Sequence, residues 1–282
     1  MTAPVAQEAL GRGDLDAALA ELESAVRAEP ASSELRVFLF QLLSVLGQWD
    51  RALTQLNVAG DLDPSTLMMV QTYRELLQCE PLRAQIMDGQ RQPVVFGEPL
   101  QWVAELIEAL RLAGSGDSSA AIAMRERAFD EAPTVGGTID GQVFEWIADA
   151  DSRLGPVLEA VVNGKYCWVP FVRIRRLEIE EPSDLRDLVW LPATLTWTNE
   201  GQSTGMIPTR YCGSAESVDS SIRLSRRTEW DEAPDGFHGV GQRMLATDGE
   251  EYPIAQVRVI ELDSPAETDG QLRDDGEGLS NG

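Results

Sequence analysis

The chain has 282 residues, 43% of them hydrophobic, which suits a soluble globular protein with more than one buried core. Its 47 acidic and 23 basic side chains give a formal charge of −24, which disfavours nucleic acid and anionic membranes and suits a basic or amphipathic protein partner. Met1 to Leu10 lacks the cationic start and apolar run of a signal peptide, and no segment approaches membrane-spanning length, so a cytoplasmic location is expected.

The first elements repeat. Gly13-Asp14-Leu15-Asp16-Ala17-Ala18-Leu19, followed by Leu22, Ala25 and Pro30, returns 34 positions later as Gly47-Gln48-Trp49-Asp50-Arg51-Ala52-Leu53, then Leu56, Ala59 and Pro64. That period is the one of a tetratricopeptide (TPR) helix-turn-helix unit. Gly13 and Gly47 tolerate the left-handed angles that end one helix, small Ala18 and Ala52 let the next approach closely, and Pro30 and Pro64 stop it. The apolar stripe Leu35, Phe38, Leu39, Leu42 and Leu46 needs a partner surface, so neighbouring hairpins are expected to stack and leave a concave groove. A weaker copy runs from Gly116-Asp117 to Pro133, and a missing copy is expected between Leu82 and Val95. The segment from Thr2 to Pro133 therefore reads as helical throughout, and residues 1–135 as one TPR-like domain.

Val135-Gly136-Gly137-Thr138 marks a linker, taken as residues 136–140, because paired glycines neither continue a helix nor favour a strand. Beyond it β-branched and aromatic residues dominate. Val157 to Val162 and Tyr166 to Val172 flank Asn163-Gly164, a strong tight-hairpin signal. Leu188 to Thr198, Gly205 to Tyr211, Ser221 to Trp230 and Ile254 to Leu262 are further predicted strands, with Asp248-Gly249 another turn. The fold class expected is α+β: a helical repeat domain, a mainly β domain over residues 141–263, and an acidic tail over residues 264–282 predicted to be disordered.

Within the predicted β domain, Phe144-Glu145-Trp146-Ile147-Ala148-Asp149-Ala150-Asp151-Ser152-Arg153-Leu154-Gly155-Pro156-Val157-Leu158-Glu159 leads into Gly164-Lys165-Tyr166-Cys167-Trp168-Val169-Pro170-Phe171. Leu185-Arg186-Asp187-Leu188-Val189-Trp190-Leu191-Pro192-Ala193 and Ile207-Pro208-Thr209-Arg210-Tyr211 follow. Together with the repeats these stretches resemble the ImpE/TagJ family of type VI secretion accessory proteins. The resemblance implies a non-enzymatic cytoplasmic adaptor that binds a helix near the N-terminus of TssB, the small subunit of the contractile sheath. It also implies an influence on sheath assembly or on recycling by the ClpV ATPase. The acidic tail has no counterpart in that pattern.

Asp149, Asp151, Arg153 and Glu159 could hold a hard cation or divide acid and base roles in a hydrolase, or could form an ion-pair network at the entry to the first hairpin. The network is favoured, because no calcium-loop glycine, second histidine or phosphate-binding loop completes a site. His238, the single histidine, lies in Gly236-Phe237-His238-Gly239-Val240-Gly241, read as a glycine-rich turn that also fails the nucleotide-binding order. Arg173, Arg175 and Arg176, with Arg223, Arg226 and Arg227, read as the solvated face of alternating strands. Cys79, Cys167 and Cys212 are odd in number and lack CxxC spacing, so they read as reduced structural thiols. No catalytic residue, metal or cofactor is expected. Trp146, Trp168, Trp190 and Tyr211 are taken as partner-binding residues, most of this aromatic set being core and the accessible remainder helix anchors. The repeat groove is an equal contender. A general TPR chaperone would need basic or Asn residues facing that groove, and the first helices show few.

Overall fold

The computed structural model describes residues 3–263; the acidic tail expected from Ser264 lies outside them. Helices α1 (Pro4–Gly11) and α2 (Leu15–Ala28) make the first hairpin, and α3 (Ser33–Val45) and α4 (Trp49–Leu62) the second. Gly13 and Gly47 turn the chain at φ of +79° and +68°, a region costly for any residue with a Cβ. Side chains cap the starts: Asp14 accepts from the Ala17 N–H at 3.0 Å and Ser32 from the Leu35 N–H at 3.3 Å. Ala18 and Ala52 are wholly buried where the helices meet, and Leu22 and Leu56 are wholly buried beside them, each worth about 1.5–3 kcal/mol.

The third repeat departs from the pattern. Helix α5 (Leu67–Met87) continues where a hairpin turn would fall and has no repeat partner. The chain then forms strand β1 (Val94–Val95), which corrects the expectation of helix throughout. Gly89 and Gly114 explain how the next hairpin, α6 (Gln101–Gly114) and α7 (Ser118–Glu131), closes against the end of α5. A Cβ on Gly89 would lie 2.3 Å from the Leu110 carbonyl oxygen, and one on Gly114 would lie 2.2 Å from that of Asp88.

Strands follow: β2 (Gly137–Ile139), β3 (Gln142–Phe144), β4 (Ile147–Asp149), β5 (Val157–Val162), β6 (Lys165–Pro170), β7 (Ile174–Ile179), β8 (Trp190–Trp197) and β9 (Gln202–Pro208). A short helix α8 (Ser220–Arg223) precedes β10 (Thr228–Ala233), β11 (Gly236–Gly241), β12 (Met244–Thr247), β13 (Glu251–Pro253) and β14 (Val259–Leu262). One sheet runs β1-β6-β5-β9-β8-β7-β14-β2-β3, antiparallel except for the parallel β1–β6 pair. Two smaller sheets run β10-β11 and β13-β12-β4. The Asn163-Gly164 hairpin joins β5 to β6 with φ of +50° and +72°, the pair of left-handed residues its sequence predicts.

Three expectations are corrected. Residues 137–139, expected in a linker, form β2, because Gly137 lets β14 approach so closely that a Cβ would lie 2.0 Å from the Glu261 carbonyl oxygen. Of Ser221 to Trp230, expected as a strand, residues 221–227 are the end of α8 and a turn, and the strand begins only at Thr228 with β10. Gly236 to Gly241 is strand rather than turn: a Cβ on Gly239 would lie 2.3 Å from the Tyr211 ring, so the glycine there admits the tyrosine.

Period-two alternation sorts β5 between two cores. Val157 and Val161, with Tyr166, Trp168 and Trp190, pack in one cluster with Tyr73, Leu76 and Trp102 of the helices. Leu158, Ala160 and Val162 join Val169, Leu191 and Leu245 in the other. The sheet thus shares its larger core with the repeat helices.

Candidate functional site

Glu159 on β5 points into the junction of helices and sheet. It accepts hydrogen bonds from Arg83 Nε at 2.8 Å and Arg83 Nη2 at 3.0 Å, and also from Tyr166 Oη and Arg243 Nη2. Arg243 reaches across to Asp149, which further accepts from Tyr211 Oη at 3.1 Å and the Asp151 N–H at 2.9 Å. Asp151 holds Arg153 through Nε at 2.9 Å and Nη2 at 2.6 Å and accepts the Gly239 N–H at 2.9 Å. On the helical side Arg83 lies 3.4 Å from Glu80, whose other oxygen takes the Trp190 indole N–H at 2.8 Å.

Burial alone would push the Glu159 carboxyl up, but Arg83 and Arg243 outweigh it and hold it well below the usual range. Asp151 is lowered likewise, burial being overcome by Arg153. Asp149 is pushed up to about 6, because burial and its Asp151 and Glu159 neighbours outweigh Arg243. The side chains of Asp149, Asp151, Glu159 and Arg243 have no solvent exposure. The constellation weighed as a hydrolytic or metal centre is therefore an enclosed network in which each carboxylate faces a guanidinium, and no group among the described residues has the donors to hold a metal.

Trp168, Trp190 and Tyr211, expected among partner-binding residues, are buried in the core: the first bonds Tyr166 Oη through its indole at 3.0 Å and the others belong to the charge network. They cannot touch a docked helix while the core stays closed. Trp146, at 40% exposed, is the one of the four at the surface. It borders an apolar cavity of about 360 Å³ with Phe129, Pro133, Val135 and Pro156, which meets Asp149 and Asp151 along their main chain. The arginines are locally engaged: Arg176 with Glu178 and Glu261, Arg227 with Asp219 and Glu229, and Arg175 with the Leu262 carbonyl. Burial raises the thiols of Cys79, Cys167 and Cys212 to about 11, and all three are free.

A larger cavity, about 520 Å³, opens on the helical side between α1 and α3. Leu10, Leu35, Val37, Phe38 and Leu185 make its apolar floor and wall, and Glu34, Asp63 and Asp184 stand among its lining. Leu185 comes from the β7–β8 connection, so both halves of the chain build this groove. The Phe38 stripe pointed to it from sequence; nothing local signalled Leu185, Glu80, Arg83 or Arg243.

Residues 141–261 match the ImpE protein family, and residues 9–68 match the tetratricopeptide repeat. The type VI secretion system accessory component TagJ of Pseudomonas aeruginosa is 49% identical over 261 residues, which cover 93% of this chain and 92% of that protein. The chain belongs to the ImpE/TagJ family. Its architecture recurs in the crystal structure of protein VPA1032 from Vibrio parahaemolyticus, with a TM-score of 0.81 and 25% identity over 92% of this chain and 97% of that one. In this chain a TPR-like helical region precedes a mostly strand region, and that solved structure has a similar fold. Among the described residues no helix is long and apolar enough to cross a membrane.

Proposed function

We propose that this chain is a non-enzymatic cytoplasmic adaptor of the type VI secretion system that captures the N-terminal helix of the TssB sheath subunit. Through that contact it modulates sheath assembly or ClpV-dependent recycling. The observation that carries the reading is the apolar groove of about 520 Å³ between α1 and α3, which Phe38 and Leu185 both line and which suits the apolar face of an amphipathic helix. Glu34, Asp63 and Asp184 suit basic residues flanking the helix's apolar face, and the charge of −24 raises the encounter rate with a basic segment. Residues 1–135 and 141–263 act as one body, because the groove draws on both.

Titration calorimetry with a peptide of the TssB N-terminal helix tests this. Binding is expected for the native chain and loss of at least about tenfold for Phe38→Asp, which puts a charge on the groove floor. Unchanged affinity in Phe38→Asp with loss in Trp146→Ala moves the site to the Trp146 cavity, a second reading that the exposure of that tryptophan favours.

The enzymatic alternative through Asp149, Asp151 and Glu159 is disfavoured by their pairing with Arg243, Arg153 and Arg83 and by their enclosed side chains. Asp151→Asn is expected to alter stability alone. A general TPR chaperone gripping a C-terminal carboxylate is disfavoured because the groove lining offers acidic and amide side chains and no lysine or arginine.

A further inference from the structure

The β10–β11 hairpin stands apart from the main sheet, and its two edges differ. The far edge of β11 is occupied: the Phe237 carbonyl accepts the Ser152 N–H at 3.2 Å, and the Gly239 N–H donates to Asp151 Oδ2 at 2.9 Å. The Gly241 N–H donates to Ser214 Oγ at 2.8 Å, and its carbonyl accepts the Tyr211 N–H at 2.9 Å. Phe237, Gly239 and Gly241 therefore turn their main-chain groups away from β10. Their register partners Glu232, Trp230 and Thr228 must, by the alternation of an antiparallel ladder, turn theirs away from β11. Among the described residues no hydrogen bond from outside the hairpin reaches the main chain of 228–233.

This open edge is held rigidly. Arg125 of α7 grips Asp235 at the hairpin turn through Nη2 at 2.8 Å, and the Tyr211 ring lies 5.7 Å from that of Trp230. An added strand would find its template already ordered.

We propose that the outer edge of β10 docks an extended, basic segment of a protein partner as a third strand. Charge selects that occupant. Asp231 and Glu232 are exposed and have no ion pair among the described residues. A second copy pairing there would set carboxylates against carboxylates, which a chain of charge −24 opposes further. A strand bearing lysines or arginines meets complementary charge instead. The two-sided alternation adds a second requirement: Trp230, 37% exposed, offers apolar contact to the incoming residues on its own face of β10, whereas Asp231 meets those on the other face.

The test uses the full chain labelled for amide NMR, with an octapeptide of alternating lysine and valine as probe and its glutamate-valine counterpart as control. The lysine peptide is expected to bind and to slow hydrogen exchange at the Thr228, Trp230 and Glu232 amides. Glu232→Pro removes one outward N–H and leaves the bonds to β11 intact, and about tenfold weaker binding is expected. The double variant Asp231→Lys, Glu232→Lys keeps every N–H and is expected to switch preference to the glutamate peptide. No slowing at the three amides with millimolar lysine peptide, equal binding of both peptides, or an unswitched double variant would overturn the proposal. Slowing at those amides on raising protein concentration alone would replace it with self-pairing.

Discussion

Arg83 of α5 and Glu159 of β5 form a two-pronged ion pair with bonds of 2.8 and 3.0 Å, their side chains 3% and 0% exposed. The pair crosses from repeat helices to sheet, and Glu159 hands the connection on to Arg243 and so to Asp149 on β4. Taking such charges from water is costly, and the geometry repays it only while each has its partner. The network therefore fixes how α5 sits on the sheet.

Arg83→Met is expected to lower the unfolding free energy by about 3–5 kcal/mol, because Glu159 and Glu80 lose a buried cation. Guanidinium denaturation reads this as a lower midpoint. Arg111→Met, which disrupts only the exposed pair with Glu108, should leave the midpoint where it was.

The pH profile separates two carboxylates. Glu159 is depressed below its ordinary 4.5 in the folded chain, so its contribution is present above that pH and is lost as pH falls toward the folded value. Asp149 has the opposite sign: raised from 3.8 to about 6, it contributes most below 3.8, and that contribution is lost as pH rises through about 6. Denaturation from pH 3 to 7 should show Asp149→Asn removing a decline across that upper interval and Glu159→Gln flattening the acid limb.

Gly239→Ala is expected to cost about 1–3 kcal/mol by overpacking, since the new methyl would collide with the Tyr211 ring at 2.3 Å. Thermal melting measures it. Tyr211→Leu in the same background should recover part of the loss if the ring is the obstacle.

The repeats were readable because Gly13, Gly47 and their prolines impose backbone geometry by themselves, and Asn163-Gly164 announced its hairpin for the same reason. Strand β1 was hidden: two valines within a helical region give no periodicity, and they pair with β6 far along the chain. Glycines at 137 and 239 look like breakers in the sequence, because what requires them is a neighbouring strand or ring that no local window contains. The tryptophans were half sorted. Strand alternation places Trp168 and Trp190 toward the helices, yet the sequence left open which face the helices cover. Arg83, Glu159 and Arg243 stand 76 and 84 residues apart along the chain and meet only once the sheet closes on α5.

Thiol chemistry offers an independent check on the junction. Cys79, Cys167 and Cys212 are raised to about 11 by burial, so an aromatic disulfide reagent at pH 8 should label them slowly in the folded chain and fully in denaturant. Fast labelling of Cys79 and Cys212 without denaturant would mean that the shared core opens readily.

Hydrogen exchange of the full chain, with and without full-length TssB, reads the docking surface most directly. Slowed exchange is expected along α1 and α3 near residues 7–10 and 33–41 and in the β7–β8 connection at 184–185, the segments lining the groove. Slowing confined to the Trp146 region, or none at saturating TssB, would contradict capture of a sheath helix between α1 and α3.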